Sequence, residues 1–443
     1  MLAELHNRIT QKLSRLAVIG LGYVGLPVAC EFARVGFNVL GVDIQENRID
    51  RINAGMSPVD GMEPGLQELI EETVGAGVLR ATTDYGEVGG CDVILICVET
   101  PVEQDNLPRY DALRSALVSC GEVLKRGSLI IIESTTAPGT MQSLVKPVLE
   151  QVSSLRVNED FFLGNCPERV MPGKLLVNLR TIGRVVGGMT PETSEAMFAL
   201  YRHIVDADLD AVDCVTAELV KTVENTYRDV QIAFANEIAL ICEQVGGDVW
   251  KVRQLVNKSP GRQMLYAGSG VGGHCIPKDP WLLVSSVRSS NIPIELIPAA
   301  RSINNYMPIH MLDLIQAALA EFDRDITGSR ILLMGFAYLE DTGDTRNSPS
   351  QVLASQLLDK RSNVIVHDPY VNAYQGPLLD MAQDCDAAVL MVKHNVYRSL
   401  DLNALRISLR TPILVDGRGF FGAEAAARAG LKYWALGVAK NQG

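Results

Sequence analysis

The nine cysteines of this 443-residue chain never take the spacing of a disulfide framework or a zinc site. No CxxC pair occurs, and Cys91, Cys97, Cys214 and Cys242 sit in apolar runs. That is the pattern of reduced, buried thiols in a cytoplasmic protein, with no metal site. Positive charge is also short: 40 lysines and arginines face 52 acidic residues, a formal net charge of -12. Such a balance argues against nucleic acid or an anionic membrane as the main partner. It leaves room for a local phosphate site built from a few cations and helix N-termini. Long apolar runs are missing too. None approaches the ~20 residues of a membrane span, and Glu4, His6, Arg8 and Lys12 interrupt the stretch where a signal peptide would be apolar. A soluble cytoplasmic protein with no membrane partner is expected.

The hydrophobic fraction of 47% and the charged fraction of 21% are those of an ordinary globular protein. The length suits two or three domains of roughly 100–200 residues each. Leu16–Gly20 is a short apolar strand that runs into Gly20-Leu21-Gly22-Tyr23-Val24-Gly25. Helical spacing follows over Leu26–Gly36, and then a second strand over Asn38–Asp43. Three glycines between a strand and a helix, with an acid about 20 residues on, form a dinucleotide-binding fingerprint. Gly20 permits the tight turn, Gly22 lets backbone approach a pyrophosphate, and Gly25 allows close helix–strand packing. Asp43 can accept hydrogen bonds from ribose hydroxyls and would repel a 2′-phosphate, which favours NAD over NADP.

Further strands are predicted at Val93–Val98 and Leu129–Glu133, so the first part alternates into a parallel sheet with helices on both faces. Val215 to Val245 lacks proline and glycine and has helical periodicity, which predicts one long helix followed by shorter ones to about Phe322. Asp325–Ser329 looks like a linker. Beyond it Arg330–Gly335, Asn363–Asp368 and Ala387–Val392 open a second strand–helix alternation. The fold class is therefore α/β, with two Rossmann-like doubly wound domains joined by a helical domain with a long central helix. The boundaries are 1–208, 209–324 and 325–443. The two α/β halves are alike in architecture, with no sequence repeat.

The segment Gly268-Ser-Gly-Val-Gly-Gly-His-Cys-Ile-Pro-Lys-Asp-Pro280 places Cys275 at the end of a glycine-rich loop, ahead of Lys278 and Asp279. Backbone N–H groups and a nearby cation favour the thiolate, the form of cysteine that attacks. A nucleophilic thiol in a chain with a hydride-acceptor site suggests aldehyde oxidation through a thioester. The plainer alternative, a cysteine filling the core, does not call for so flexible a loop.

This loop resembles the catalytic loop of the UDP-glucose/GDP-mannose dehydrogenase family, and the resemblance extends over nearly the whole chain. The other matching motifs are Gly20–Gly25, Thr100-Pro101, Glu133-Ser134-Thr135, Cys166-Pro-Glu-Arg-Val-Met-Pro-Gly173, Glu218 to Arg228, Gly335 to Pro349, and Asp416-Gly-Arg418. The resemblance implies NAD-dependent oxidation of a sugar nucleotide at C6, twice, to a uronic acid. It implies Cys275 as nucleophile, Lys221 and Asn225 as donors to an alkoxide or oxyanion, and Glu168, Asp279 and Thr135 as residues that handle the hydrolytic water. Lys221 and Asn225, four apart, share one helix face. Cofactor contacts implied are Gly20, Gly22, Tyr23, Val24, Gly25, Asp43, Arg48, Thr100, Thr135, Lys278 and Arg346. Substrate contacts implied are Glu168, Arg169, Lys221, Asn225, Arg228, Gly268, Gly272, Gly273, His274 and Arg418.

Three positions depart from the family's usual residues: Leu339 stands where a lysine is usual, Ser269 replaces a proline, and Glu99 precedes Thr100. The form of the Pro167–Gly173 motif resembles the branch acting on UDP-N-acetylhexosamines. UDP-N-acetylmannosamine is the first expectation for the UDP-sugar partner, with the N-acetylglucosamine and glucose nucleotides as alternatives. A two-electron β-hydroxyacid dehydrogenase would share the first domain and the long helix but would not need Cys275. A non-catalytic sugar-nucleotide sensor would have no use for Lys221 or Asp279. The apolar breadth of the long helix, with the family resemblance, implies a homodimer built on it, with Arg301–Asn305 close to the interface.

Overall fold

The structure, a computed structural model, describes residues 1–59, 63–103 and 105–439. They form two compact units: residues 1–224 with 281–292, and residues 225–280 with 293–443.

The first unit holds eight strands: β1 (Arg15–Ile19), β2 (Asn38–Val42), β3 (Leu79–Thr82), β4 (Val93–Ile96), β5 (Leu129–Ile132), β6 (Phe162–Asn165), β7 (Arg184–Gly188) and β8 (Leu209–Asp213). They lie in the order β3-β2-β1-β4-β5-β6-β7-β8. Neighbours are parallel except β6 and β7, which pair antiparallel and correct the expected all-parallel sheet. Alternate residues of β1 serve two cores. Leu16 and Val18 pack with Phe32 of the helix Gly25–Arg34, while Ala17 and Ile19 pack with Leu113 and Leu117 on the other face. Burial on both faces is what makes these strands read as continuous apolar runs.

The second unit holds β9 (Arg330–Met334), β10 (Asn363–His367), β11 (Ala387–Leu390), β12 (Ile413–Asp416) and β13 (Lys432–Ala435), all parallel, in the order β10-β9-β11-β12-β13. The same alternation recurs, with Ile331 and Leu333 in one core and Leu332 and Met334 in the other. The long helix spans Cys214–Val245 as expected. The helices after it are not all short, because Leu296–Ala320 runs for 25 residues through Pro308.

A repeat absent from the residue comparison is present in the hydrogen bonding. Gly20 N–H donates to Val42 O and Gly335 N–H to His367 O, each at 2.8 Å. Leu21 N–H donates to Asp43 Oδ2 at 2.8 Å, and Phe336 N–H to Asp368 Oδ2 at 2.6 Å. Arg15 N–H donates to Asp92 and Arg330 N–H to Asp386, at 2.9 and 2.8 Å. The two copies differ at the acid after the second strand. Asp43 pairs with Arg48, whereas Asp368 is fully buried beneath His394, whose Nε2 lies 3.1 Å from Oδ2. Both acids are buried and accept backbone N–H groups, so what separates the two copies is the side-chain partner, a partly exposed arginine at Asp43 and a buried histidine at Asp368.

Candidate active site

In the first unit the fingerprint turn is fixed by contact. A Cβ on Gly25 would fall 1.9 Å from Gly20 O, and one on Gly20 would fall 2.8 Å from Cys97 O, with φ at +88°. Gly22 faces open space, with nothing within 4 Å of its Cβ position. Two glycines are thus demanded by packing and the third leaves a cradle beside the N-terminus of the helix Gly25–Arg34, which suits a pyrophosphate. Asp43 Oδ2 accepts from Leu21 N–H and from Arg48 Nη1, both at 2.8 Å. Tyr23 donates its hydroxyl to Glu63, and Val24 caps the helix. Thr100 Oγ1 donates to Thr135 O at 2.7 Å, joining the loops after β4 and β5. These residues fit NAD, which when bound accepts a hydride.

Glu168 is buried and pairs with Arg184, and it also accepts from Arg169 N–H at 2.6 Å. Arg184 in turn lies 3.6 Å from Glu133, which receives the Tyr201 hydroxyl. Burial raises the pKa of Glu133, with Arg184 opposing. The Arg169 guanidinium is held by Gly183 O at 2.7 Å and by Glu224 at 2.9 Å. Lys221 is buried on the long helix, and one turn earlier Glu218 accepts from Gly139 N–H, Met141 N–H and Thr136 Oγ1 at 2.7, 2.9 and 3.2 Å. Glu218 thereby fixes the segment after Thr135 against the helix that carries Lys221. Arg184, Tyr201 and Glu218 were not among the expected site residues. Glu218 lay in a motif already singled out, whereas Arg184 had no sequence signal.

In the second unit Cys275 O accepts from Lys278 N–H at 3.1 Å and from Asp279 N–H at 2.9 Å, which starts the helix Asp279–Ser285. Asp279, fully buried, accepts from Asn225 Nδ2 at 2.5 Å and lies 3.4 Å from Lys278 Nζ. Cys275 is exposed, while seven of the other cysteines are buried and Cys97 is half-buried. Burial pushes the thiols of Cys30, Cys120, Cys166 and Cys214 up to about 12 and raises those of Cys91, Cys97, Cys242 and Cys385. Thiolate chemistry is therefore suppressed at those eight. His274 is pushed down to about 4 by burial, then by Lys278 and Arg346, so its ring is neutral at pH 7.

The glycines of the loop are explained by their neighbours. A Cβ on Gly272 would meet Tyr338 Cβ at 2.6 Å, and one on Gly273 the Tyr338 ring at 2.7 Å with φ at +89°. Gly273 N–H donates to Arg346 O at 2.9 Å and Asn347 Nδ2 donates to Gly273 O at 3.0 Å. Gly268 N–H donates to buried Asn236 Oδ1 at 2.9 Å, and Ser269 Oγ donates to Met391 O at 3.0 Å. Asn236 continues through Asn304 to Asp229 and Arg301, all buried. Arg346 pairs with Asp344 at 2.6 Å. Arg418 abuts Gly268, where an added Cβ would lie 2.6 Å from Nη1. Arg228 is exposed, three residues after the buried Asn225 on the long helix.

A dinucleotide turn in one unit, and one exposed thiol on a glycine loop in the other, define an NAD-dependent dehydrogenase with a cysteine available for covalent chemistry. The chain belongs to the UDP-glucose/GDP-mannose dehydrogenase family: its NAD binding domain matches residues 14–205, its central domain 215–306 and its UDP binding domain 332–423. The chain is 37% identical to the UDP-N-acetyl-D-mannosamine dehydrogenase of Pyrococcus horikoshii, over 91% of this chain and 95% of that protein. It is 35% identical to the NDP-N-acetyl-D-galactosaminuronic acid dehydrogenase of Ralstonia nicotianae, over 93% and 97%. The solved structure of the Pyrococcus horikoshii UDP-D-ManNAc dehydrogenase superposes with a TM-score of 0.90 at 36% identity, covering 96% of this chain and 99% of that one.

Proposed function

We propose that the chain oxidises the C6 alcohol of a UDP-N-acetylhexosamine, first UDP-N-acetyl-D-mannosamine, to the uronic acid in two NAD-dependent steps. The observation that carries this reading is the exposure of Cys275 beside Lys278 and Asp279 when every other thiol is buried or half-buried. The named relatives support the sugar class. One mannosamine and one galactosamine enzyme among them agree on the N-acetyl group and differ in the epimer.

In this reading Lys221 and Asn225 donate to the oxygen on C6 as it gains negative charge, a kind of contact whose loss typically costs about 10²–10³ in rate. Cys275 adds to the aldehyde carbon, and the thiohemiacetal so formed loses the second hydride to become a thioester. Water then cleaves the thioester, releasing the carboxylate and the thiol. Asp279, fixed by Asn225, orders that water with Lys278, and Glu168 takes its proton. Covalent attachment keeps the aldehyde from escaping between steps.

Exposed Val215, Leu219, Val223, Tyr227, Phe234, Ile241 and Val245 recur at spacings of four and seven along the long helix and support a homodimer packed on that stripe. Arg301 and Asn304, expected close to that interface, are buried against Asp229 within the chain. No described helix is long and apolar enough to cross a membrane, and the reading places the enzyme in the cytoplasm. The test is NADH formed per nucleotide sugar across the UDP-linked N-acetylmannosamine, N-acetylglucosamine, N-acetylgalactosamine and glucose. Two equivalents with an N-acetylhexosamine support the reading, and one equivalent supports a simple hydroxyacid-type dehydrogenase. Light scattering that finds a monomer at micromolar concentration overturns the dimer.

A further inference from the structure

Tyr266, on the segment leading into Gly268, is exposed and has two cations against its ring. The Arg253 guanidinium carbon lies 3.5 Å from the ring centroid and Lys393 Nζ lies 5.0 Å from it. Arg253 Nε makes no hydrogen bond among the described residues. Lys393 follows β11 and faces Glu340 at 3.8 Å, while Arg418 faces the other oxygen of the same carboxylate at 3.9 Å. Among the described residues Lys393 and Arg418 share one ion-pairing acid, and Arg253 has none. Burial lowers the pKa of Arg418, with Glu340 and Asp416 opposing, as it does for a cation whose desolvation is incompletely offset.

A local surplus of positive charge in a chain of net charge -12 calls for an anion. Glu340 spans two cations at distances near the limit of ion pairing and is 37% exposed, so it can leave when a stronger anion arrives. The residue before it is Leu339, where the family usually carries a lysine. The cation missing from that loop is present on the neighbouring strand end instead. An ammonium acts as a point charge toward phosphate oxygens and tolerates such a change of origin better than a planar guanidinium would.

We propose that Lys393, held over Tyr266 beside Arg253, binds the diphosphate of the UDP-sugar in place of the cation absent at Leu339, and that Glu340 is the counter-ion the diphosphate displaces. The proposal rests on the UDP-sugar reading above and adds to it a residue and a charge exchange. Arg418 provides bidentate recognition, Lys393 a second charge, and Arg253 a third cation against the same ring.

Calorimetric titration of the intact protein with UDP and with uridine tests it. Lys393→Gln should weaken UDP binding about ten-fold or more, as loss of a charge-assisted contact does, and should flatten its dependence on ionic strength. Uridine, which lacks phosphates, should bind both proteins alike. KM for the UDP-sugar should rise with kcat kept, and affinity for NAD and the melting temperature should not move. Adding Leu339→Lys to Lys393→Gln should recover UDP affinity. Unchanged UDP binding in Lys393→Gln, an equal loss for uridine, or no recovery in the double variant overturns the proposal while leaving the enzyme's function standing. A wild-type protein that binds no UDP overturns both.

Discussion

Asn225 donates its side-chain amide to Asp279 across 2.5 Å, joining the long helix to the first turn of the helix that begins just after Cys275. Asp279 is fully buried and its other oxygen lies 3.4 Å from Lys278 Nζ. A buried carboxylate held by one amide and one ammonium has its orientation set from both sides. Asp279 thereby ties Lys278 to Asn225 on the long helix.

Asn225→Ala removes the amide and leaves a buried oxygen without its donor, a cost of about 1–3 kcal/mol. The melting temperature should fall and kcat should drop by about 10²–10³ if the same amide also meets the oxyanion. An unchanged kcat in a folded variant would remove Asn225 from the chemistry and leave it a structural tie.

Cys275→Ser should abolish net turnover while NAD binding persists, since a serine hydroxyl is far harder to ionise than a thiol. Retention of more than about a tenth of wild-type turnover sinks the nucleophile assignment, because covalent steps depend on the attacking group by orders of magnitude. No buried cysteine can take over, given how strongly burial raises their pKa values.

Gly273→Ala puts a methyl group 2.7 Å from the Tyr338 ring at a φ of +89°. The loop must shift, and activity should fall by at least about ten-fold from loss of geometry alone. NAD affinity, measured by fluorescence titration, should be unaffected. A fully active Gly273→Ala would show that the loop has slack.

His274 is pushed down to about 4 from 6.5, so the folded protein binds the imidazole proton less tightly than the unfolded chain does. Its contribution to stability is complete above about pH 6.5 and is lost as the pH falls from there to about 4. His274→Gln should flatten the decline of melting temperature with falling pH over that window. An unaltered slope in the variant rules out His274 as a source of the acid sensitivity.

Arg418→Ala should raise KM for the UDP-sugar about ten- to a hundred-fold, the loss of a contact worth roughly 1.5–3 kcal/mol. Its guanidinium lies against Gly268, and its only ion-pairing acid among the described residues is Glu340 at 3.9 Å. Affinity for NAD should hold. An unchanged KM would reduce Arg418 to a prop for the Gly268 segment.

The sequence by itself determined the two α/β alternations, the long helix and the glycine pattern of the dinucleotide turn. It could do so because each is a local matter: strands buried on both faces are apolar throughout, a helix of this length excludes proline and glycine, and a dinucleotide turn needs glycines at fixed intervals. Gly25, where a Cβ would fall 1.9 Å from Gly20 O, shows how directly backbone contact writes a residue into the sequence. Only the tertiary structure decided what depends on side chains far apart in the chain. The antiparallel pairing of β6 with β7, the Arg184 partners of Glu133 and Glu168, and the capture of Gly268 by Asn236 all join segments that no spacing rule connects. The parallel between Asp43 and Asp368 was hidden for the same reason, because it is carried by backbone N–H donors, which every residue but proline supplies whatever its side chain.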